Sequence, residues 1–238
     1  MERYKAYSTH LKELYGEKVY KLPVNLPVTC PNRMDGDGCT FCGGVGTGFE
    51  AMNSEVSVSE QLNATKGKIT KRYKAKKFIA YFQNYTNTFL PVDKFEKYLL
   101  EAAQTEDIVG ISVSTRPDCI TKEYLDCLKK ISEEYQVKIS MEYGLQTVNY
   151  KTLNKIDRGH TLAEYLNAVL MTAPYGFEVC TVLQHVYCEG VPYYVRSQVA
   201  VDPGFHAVLS QDLPQTLSRY PPAAVIHEQC GFLRVAFE

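Results

Sequence analysis

From residue 56 to residue 182, short apolar runs alternate with longer stretches whose apolar positions recur every three or four residues. That alternation is the mark of repeated βα units on a parallel sheet. The strand-like runs fall at 77–83, 108–114, 137–142 and 177–183, and a further one at 19–24 precedes them. Between them, Phe95, Leu99 and Ala102, then Tyr124, Leu128 and Ile131, then Leu162, Leu166, Val169 and Leu170 keep helical spacing. The punctuation agrees: Thr161 with Glu164 has the form of a capping box, Pro91 suits a helix start, and Pro174 with Gly176 ends the last helix. Crossovers between parallel strands are right-handed, so these units wind into a barrel or an open doubly wound sheet, and they are too few for eight. In either architecture the working residues project from the carboxyl ends of the strands, which directs attention to the loops after Gln83, Ser114 and Glu142.

Past residue 181 the pattern stops. All 18 Lys lie at or before Lys155, while three of the five His and five of the eleven Pro fall in the last 58 residues. The expected division is a βα-repeating unit over 1–181 and an atypical tail over 182–238, of the kind a truncated, frameshifted or rearranged end would leave. In the tail, His185 with Cys188 and His227 with Cys230 form two His-x-x-Cys pairs, which could supply four zinc ligands if they met, or stand together by coincidence.

The 238 residues fit one large domain, and 45% hydrophobic with 22% charged residues is an ordinary globular balance, with 18 Tyr and 10 Phe supplying bulk in the absence of Trp. Charges at Glu2, Arg3, Lys5, Lys12, Glu13, Glu17 and Lys18 leave no apolar leader, and no run approaches the roughly 18 to 20 apolar residues of a membrane helix. The expected setting is therefore the cytoplasm, with no membrane partner, where eight Cys stay reduced and suggestive spacing points to metal or catalysis. A net charge of −1 carries little information, but Lys66, Lys68, Lys71, Arg72, Lys74, Lys76 and Lys77 make one basic cluster. It reads as a solvated helix face or as a surface for nucleic acid.

The chemistry concentrates in one loop. Cys30, Cys39 and Cys42 are separated by eight and by two residues, and six of the fifteen Gly crowd between Gly36 and Gly48. Glycine lets backbone approach closely and turn its amides toward an inorganic cluster or a carboxylate. Three soft thiolates with no fourth ligand nearby suit a cubane whose last iron stays open, whereas structural zinc takes four ligands. Spacing alone leaves three readings open: a cluster, zinc, or unligated thiols in a turn. Cys119, Cys127 and Cys180 read as small buried thiols.

This loop and several ordered strings, among them "KVYKLPVNLPVTCPNR", "CTFCGG", "VGISVSTRPDCI" and "YGLQTVNYKTLNKIDRGHT", resemble the radical S-adenosylmethionine superfamily and within it the YhcC-like group. That group is itself similar to the elongator-type and methylthiotransferase-type branches, and the resemblance spans about residues 3 to 181. It implies an α/β fold, a partial (β/α) barrel with an atypical C-terminal segment. It also implies an enzyme in which Cys30, Cys39 and Cys42 hold a [4Fe–4S] cluster, S-adenosylmethionine binds the fourth iron, and reductive cleavage gives a 5′-deoxyadenosyl radical for hydrogen abstraction.

By the same resemblance Phe41 faces the adenine, Gln83 opens an amide- and hydroxyl-rich loop (83–88) near the cofactor's amino group, and Ser114, Arg116, Glu142 and Gln146 meet its ribose and carboxylate. Two alternatives stand beside these roles: Arg116 pairs with Asp118 to fix a turn, and Arg158 with His160 caps the next helix. Partners implied are a low-potential electron donor such as a flavodoxin or ferredoxin and, by analogy with the tRNA-modifying branches, an RNA substrate. After "EVCT" the chain departs from the group, which places nucleoside binding and barrel closure in question. A zinc-binding module without catalysis and an inactive truncated copy are the competing functional readings.

Overall fold

The computed structural model describes residues 5–34, 36–42, 51–185, 195–201 and 225–226, with side chains over 6–34, 36–42 and 51–183. Along the chain run β1 (Lys5–Ala6), α1 (Tyr7–Tyr15), β2 (Val19–Val24), α2 (Val58–Tyr73), β3 (Lys77–Phe82), α3 (Val92–Ala103), β4 (Ile108–Thr115) and α4 (Lys122–Tyr135). β5 (Lys138–Gln146), α5 (Tyr150–Lys155), α6 (Leu162–Thr172), β6 (Glu178–His185), β7 (Val195–Val201) and β8 (Val225–Ile226) complete it. The sheet order β2-β3-β4-β5-β6-β7 follows the sequence. β2 to β6 are parallel and β7 returns antiparallel on β6, so five parallel strands form an arc that does not close. This is the partial barrel expected. β1 and β8 pair separately as two-residue parallel strands.

Strict alternation splits each strand into two faces. Leu22 and Val24, Phe78, Ala80 and Phe82, Ile111 and Val113, and Ile139, Met141 and Tyr143 join the helices in the main core. The helices answer with Val58 and Leu62 of α2, Phe95, Leu99 and Ala102 of α3, Leu125, Leu128 and Ile131 of α4, and Tyr165 and Ala168 of α6. On the other face Val19, Ile79 and Cys180 pack with Tyr7 and Leu11 of α1. His10 of α1 meets Glu178 of β6 at 3.0 Å. α1 therefore lies across the concave side of the arc at the amino ends of its strands.

Two strand limits differ from the sequence reading by more than one residue. β5 continues through Glu142 to Gln146, so Glu142 is an inward residue in mid-strand and not the start of a loop; a charge inside a strand had looked like its end. β6 runs to His185, where the reading stopped at 183. On α6 the leucine row is reversed: Leu162, Leu166 and Leu170 are exposed, and Tyr165, Ala168 and Thr172 face the sheet. The hydroxyls explain it, since Tyr165 meets Thr181, and Thr172 meets Tyr143 at 2.6 Å while Thr172 also donates to Ala168 O. The expected capping box of Thr161 with Glu164 forms on α6, and a second, unanticipated one joins Ser57 with Glu60 on α2. Of the basic cluster, Lys68, Lys71, Arg72, Lys74 and Lys76 are exposed. Lys66 instead pairs with Asp107 and Lys77 with Glu17. Among the described residues no helix is long and apolar enough to cross a membrane. Cys188, His227, Cys230 and the side chain of His185 lie outside what the structure describes.

Candidate active site

The strand faces turned toward the concave side carry polar residues in layers above the apolar floor at α1. In the middle layer Lys21 of β2 pairs with Glu142 of β5, with neither side chain exposed to solvent. Two buried charges need full hydrogen bonding to be tolerated. Glu142 has it: Tyr81 donates to Oε2 at 2.9 Å, Ser112 donates to Oε1 at 2.9 Å, and Ser114 Oγ lies 3.3 Å from Oε2. The Lys21 ammonium also sits 4.4 Å from the centre of the Tyr81 ring and 5.1 Å from that of Tyr7.

Above this layer, at the carboxyl ends of the strands, a pocket opens. Cys30, Cys39 and Cys42 line it together with Phe41, Gln83, Ser114, Arg116, Glu142 and Gln146, so every residue given a cluster or cofactor role by the resemblance reaches one wall or another. Thr86, from the loop expected near the cofactor, also lines it, as do Arg158 and Tyr81, to which the sequence gives no place there. Lys21 and Tyr81 were legible in principle, as polar groups at alternate positions of apolar runs.

The cysteine loop is built by short turns. Arg33 N donates to Cys30 O and Cys42 N to Cys39 O, both at 2.9 Å, and Thr40 N ties the loop to Ile156 O at 3.1 Å. Gly38 turns the chain at φ 85°, a conformation other residues rarely adopt. Cys30 and Cys39 are buried and Cys42 is half-buried; none of the three is in a disulfide. Asn32 Nδ2 donates to Cys39 Sγ at 3.3 Å, Arg158 Nη1 approaches the same sulfur at 3.6 Å, and Arg116 Nη1 lies 4.0 Å from Cys30 Sγ.

Arg116 takes the turn-forming alternative. Its Nε donates to Asp118 Oδ1 at 2.9 Å and its Nη2 to the second carboxylate oxygen, while Nη1 donates to Asn32 Oδ1 and Nη2 also to Gly159 O. Burial works against the charge on Asp118, but Arg116 outweighs it and holds the carboxyl below its ordinary range. The guanidinium still borders the pocket, with its fork spent on Asp118.

Arg158 and His160 do not cap α6, which Thr161 and Glu164 do. They sit buried beneath the cysteine loop: Arg158 Nε and Nη2 donate to Gly144 O at 3.2 and 2.8 Å, and His160 Nε2 lies 2.8 Å from the same oxygen. Burial first, and then the Arg158 charge, push His160 down to about 4, so it is neutral at neutral pH. A Cβ on Gly144 would come within 2.5 Å of Arg158 Nη2, so any larger residue there would displace the guanidinium. In the 83–88 loop, Asn87 Nδ2 donates to Phe82 O and Ser114 O, and Thr88 bonds Thr115. These two hold the loop to the sheet and leave Gln83, Tyr85 and Thr86 at the pocket. Burial and then Asp118 push the Cys119 thiol up to about 12, in keeping with a protonated bystander.

Two observations bear on what the pocket can hold. Its donor set is three thiols, with side-chain N–H groups aimed at the sulfurs of Cys39 and Cys30, which is soft-metal chemistry. Gln146, at φ 68° on a β-bulge and 5% exposed, turns a side-chain oxygen without a hydrogen-bond partner into the buried wall. Such an acceptor is costly unless a ligand donor meets it. Among the described residues no three His, Cys, Asp or Glu side chains converge as ligands of a single ion. A cubane asks less, because each thiolate meets a different iron.

The Radical SAM superfamily model matches residues 24–192. The YtqA protein of Bacillus subtilis (strain 168) is 36% identical over 184 residues, 76% of this chain and 56% of that protein. Protein YhcC of Escherichia coli (strain K12) is 38% identical over 175 residues, 72% and 55%. The MJ0486 protein of Methanocaldococcus jannaschii is 30% identical over 177 residues, 73% and 54%. The chain spans about half the length of these relatives. Among solved structures, the archaeal Methanocaldococcus infernus Elp3 with an N-terminal deletion superposes with a TM-score of 0.49 at 15% identity, over 69% of this chain and 37% of that one.

Proposed function

Because the chain belongs to the radical SAM superfamily and is similar to YhcC and YtqA, we propose that it is a radical SAM enzyme whose cysteine loop carries a [4Fe–4S] cluster on Cys30, Cys39 and Cys42. The observation that carries the proposal is the meeting of those three thiols with Phe41, Gln83, Ser114, Arg116, Glu142 and Gln146 around one pocket. When bound, the cluster would supply the electron that cleaves S-adenosylmethionine to methionine and a hydrogen-abstracting 5′-deoxyadenosyl group.

The chain's own residues have separable tasks in this reading. Cys30, Cys39 and Cys42 hold iron. Gln146 offers an acceptor to a cofactor N–H or hydroxyl, and Gln83 and Thr86 present polar groups from the neighbouring strand end. Ser114 and Glu142 face the cofactor as part of the Lys21 network, so Glu142 orients its neighbours and is poorly placed to move protons. The electron comes from a partner of the flavodoxin or ferredoxin type. We take an RNA base as the first substrate class to test, on analogy with tRNA-modifying branches. The exposed cations of the α2 end do not support it directly, since they sit at the start of β3, away from the pocket at the strands' carboxyl ends.

The test is anaerobic reconstitution of the full chain with iron and sulfide, reduction, and electron paramagnetic resonance with and without S-adenosylmethionine. The expected result is a [4Fe–4S] signal that shifts on adding the cofactor and disappears in Cys30→Ala, Cys39→Ala and Cys42→Ala. Zinc in place of iron would sink the reading, and a cluster indifferent to the cofactor would reduce it to an inactive relative.

A further inference from the structure

Arg158 is an unusual cation for so buried a place. The residues on either side of it, Asp157 and Gly159, have φ of 53° and 72°, and this twisted turn aims the guanidinium inward under the cysteine loop. It is 7% exposed. Its partners are the Gly144 carbonyl, the His160 ring and Cys39 Sγ, and among the described residues no carboxylate neutralises it. Its neighbour Arg116 is the useful contrast, being matched by Asp118 through a two-pronged pair. A buried charge without a partner is expensive, and a protein that keeps one has an anion in view. The nearest candidate is the sulfur of Cys39, which also receives the Asn32 amide at 3.3 Å.

We propose that Arg158 is the counter-charge of the cluster at Cys39, and that with Asn32 it sets the cluster's reduction potential through N–H···S hydrogen bonds to that sulfur. The inference rests on the cluster reading above. A cubane held by three thiolates is anionic and gains a further negative charge on reduction. A fixed cation beside one ligand therefore favours the reduced form and raises the potential, as hydrogen bonds to cluster sulfurs also do. Arg158 would then be a positioning and tuning residue, acting through Cys39.

The experiment is a redox titration of the reconstituted full chain, followed by electron paramagnetic resonance without S-adenosylmethionine, for wild type, Arg158→Gln and Arg158→Lys. At the wild-type midpoint potential, Arg158→Gln is expected to lower the ratio of reduced to oxidised cluster about tenfold, which is about 59 mV for one electron. Arg158→Lys, which keeps the charge, recovers most of that shift. If the glutamine variant loses its cluster while its cluster-free melting transition is unchanged and the lysine variant keeps the cluster, the charge requirement stands. A glutamine variant with the wild-type midpoint overturns the inference, and so does one whose midpoint is unchanged but whose affinity for S-adenosylmethionine falls, because the charge then answers the cofactor. Loss of the melting transition in both variants would assign Arg158 to the scaffold and overturn it as well. Absence of any [4Fe–4S] signal in wild type would instead fail the reading on which it rests.

Discussion

Lys21 and Glu142 come from strands separated by β3 and β4, yet each side chain is fully withdrawn from water and each depends on the other. Removing one partner leaves a lone buried charge, which costs about 3 to 5 kcal/mol, whereas removing both leaves polar hydroxyls that can rearrange. Lys21→Met and Glu142→Gln are therefore each expected to lower the stability of the cluster-free protein by several kcal/mol in urea denaturation, and the double variant to cost clearly less than their sum. Additivity within about 0.5 kcal/mol would show that the pair does not couple. At this scale the sequence was informative about residue types and blind to pairings. Cys30, Cys39 and Cys42 announce themselves by spacing, and Glu142 by resemblance. Lys21 looked like one more lysine near the amino terminus, because its partner lies 121 positions away. Arg116 shows the converse: a planar fork suited to a cofactor carboxylate found Asp118 two residues along and closed on it.

Among the elements, the five parallel strands were legible as short apolar runs and the helices of the outer layer because Phe95, Leu99 and Ala102 or Leu128 and Ile131 repeat cleanly, whereas β7 lies in the stretch where that pattern stops. α6 misled because its leucines are its outward row, while tyrosine and threonine hydroxyls fasten the inward one. α1 was missed: only Tyr7 and Leu11 of its nine residues are buried, too sparse a pattern to stand out among charges. Its seat in the arc is nonetheless tight. A Cβ on Gly110 of β4 would come within 2.7 Å of the Tyr15 hydroxyl and 3.2 Å of the Lys138 carbonyl. Gly110→Ala is expected to cost about 1 to 3 kcal/mol in thermal or urea unfolding. Tyr15→Phe in the same background should recover part of that loss by vacating the nearer contact. An unchanged melting curve for Gly110→Ala would mean that α1 shifts freely on the sheet.

For the whole molecule, fold class followed from the order of elements, since five βα-type strands in sequence order with right-handed crossovers admit few architectures. What the sequence could not supply was the treatment of the two open edges of the arc, which depends on backbone that pairs far along the chain. On β2 the bond from Gln83 N to Val24 O fixes which positions face β3, so Pro23, one residue earlier, faces outward and offers no N–H to a stranger. On β6 the outer edge is occupied by β7, paired from Val179 with Val201 to His185 with Val195. β2 and β6 are thus guarded by different devices, one subtractive and one additive, and the additive one makes β7 the outermost described strand at that end of the sheet. The additive one is fragile. Adjacent prolines at Gln198 and Val199 must remove at least one N–H directed at β6, and the variant is expected to associate in sedimentation velocity at concentrations where wild type does not. If it sediments as wild type does, the β6 edge has some other guard. Seen this way, β7 works as a cover for the backbone of β6: the sheet turns an antiparallel strand outward at that end, and the last parallel strand is kept from pairing with a copy of itself.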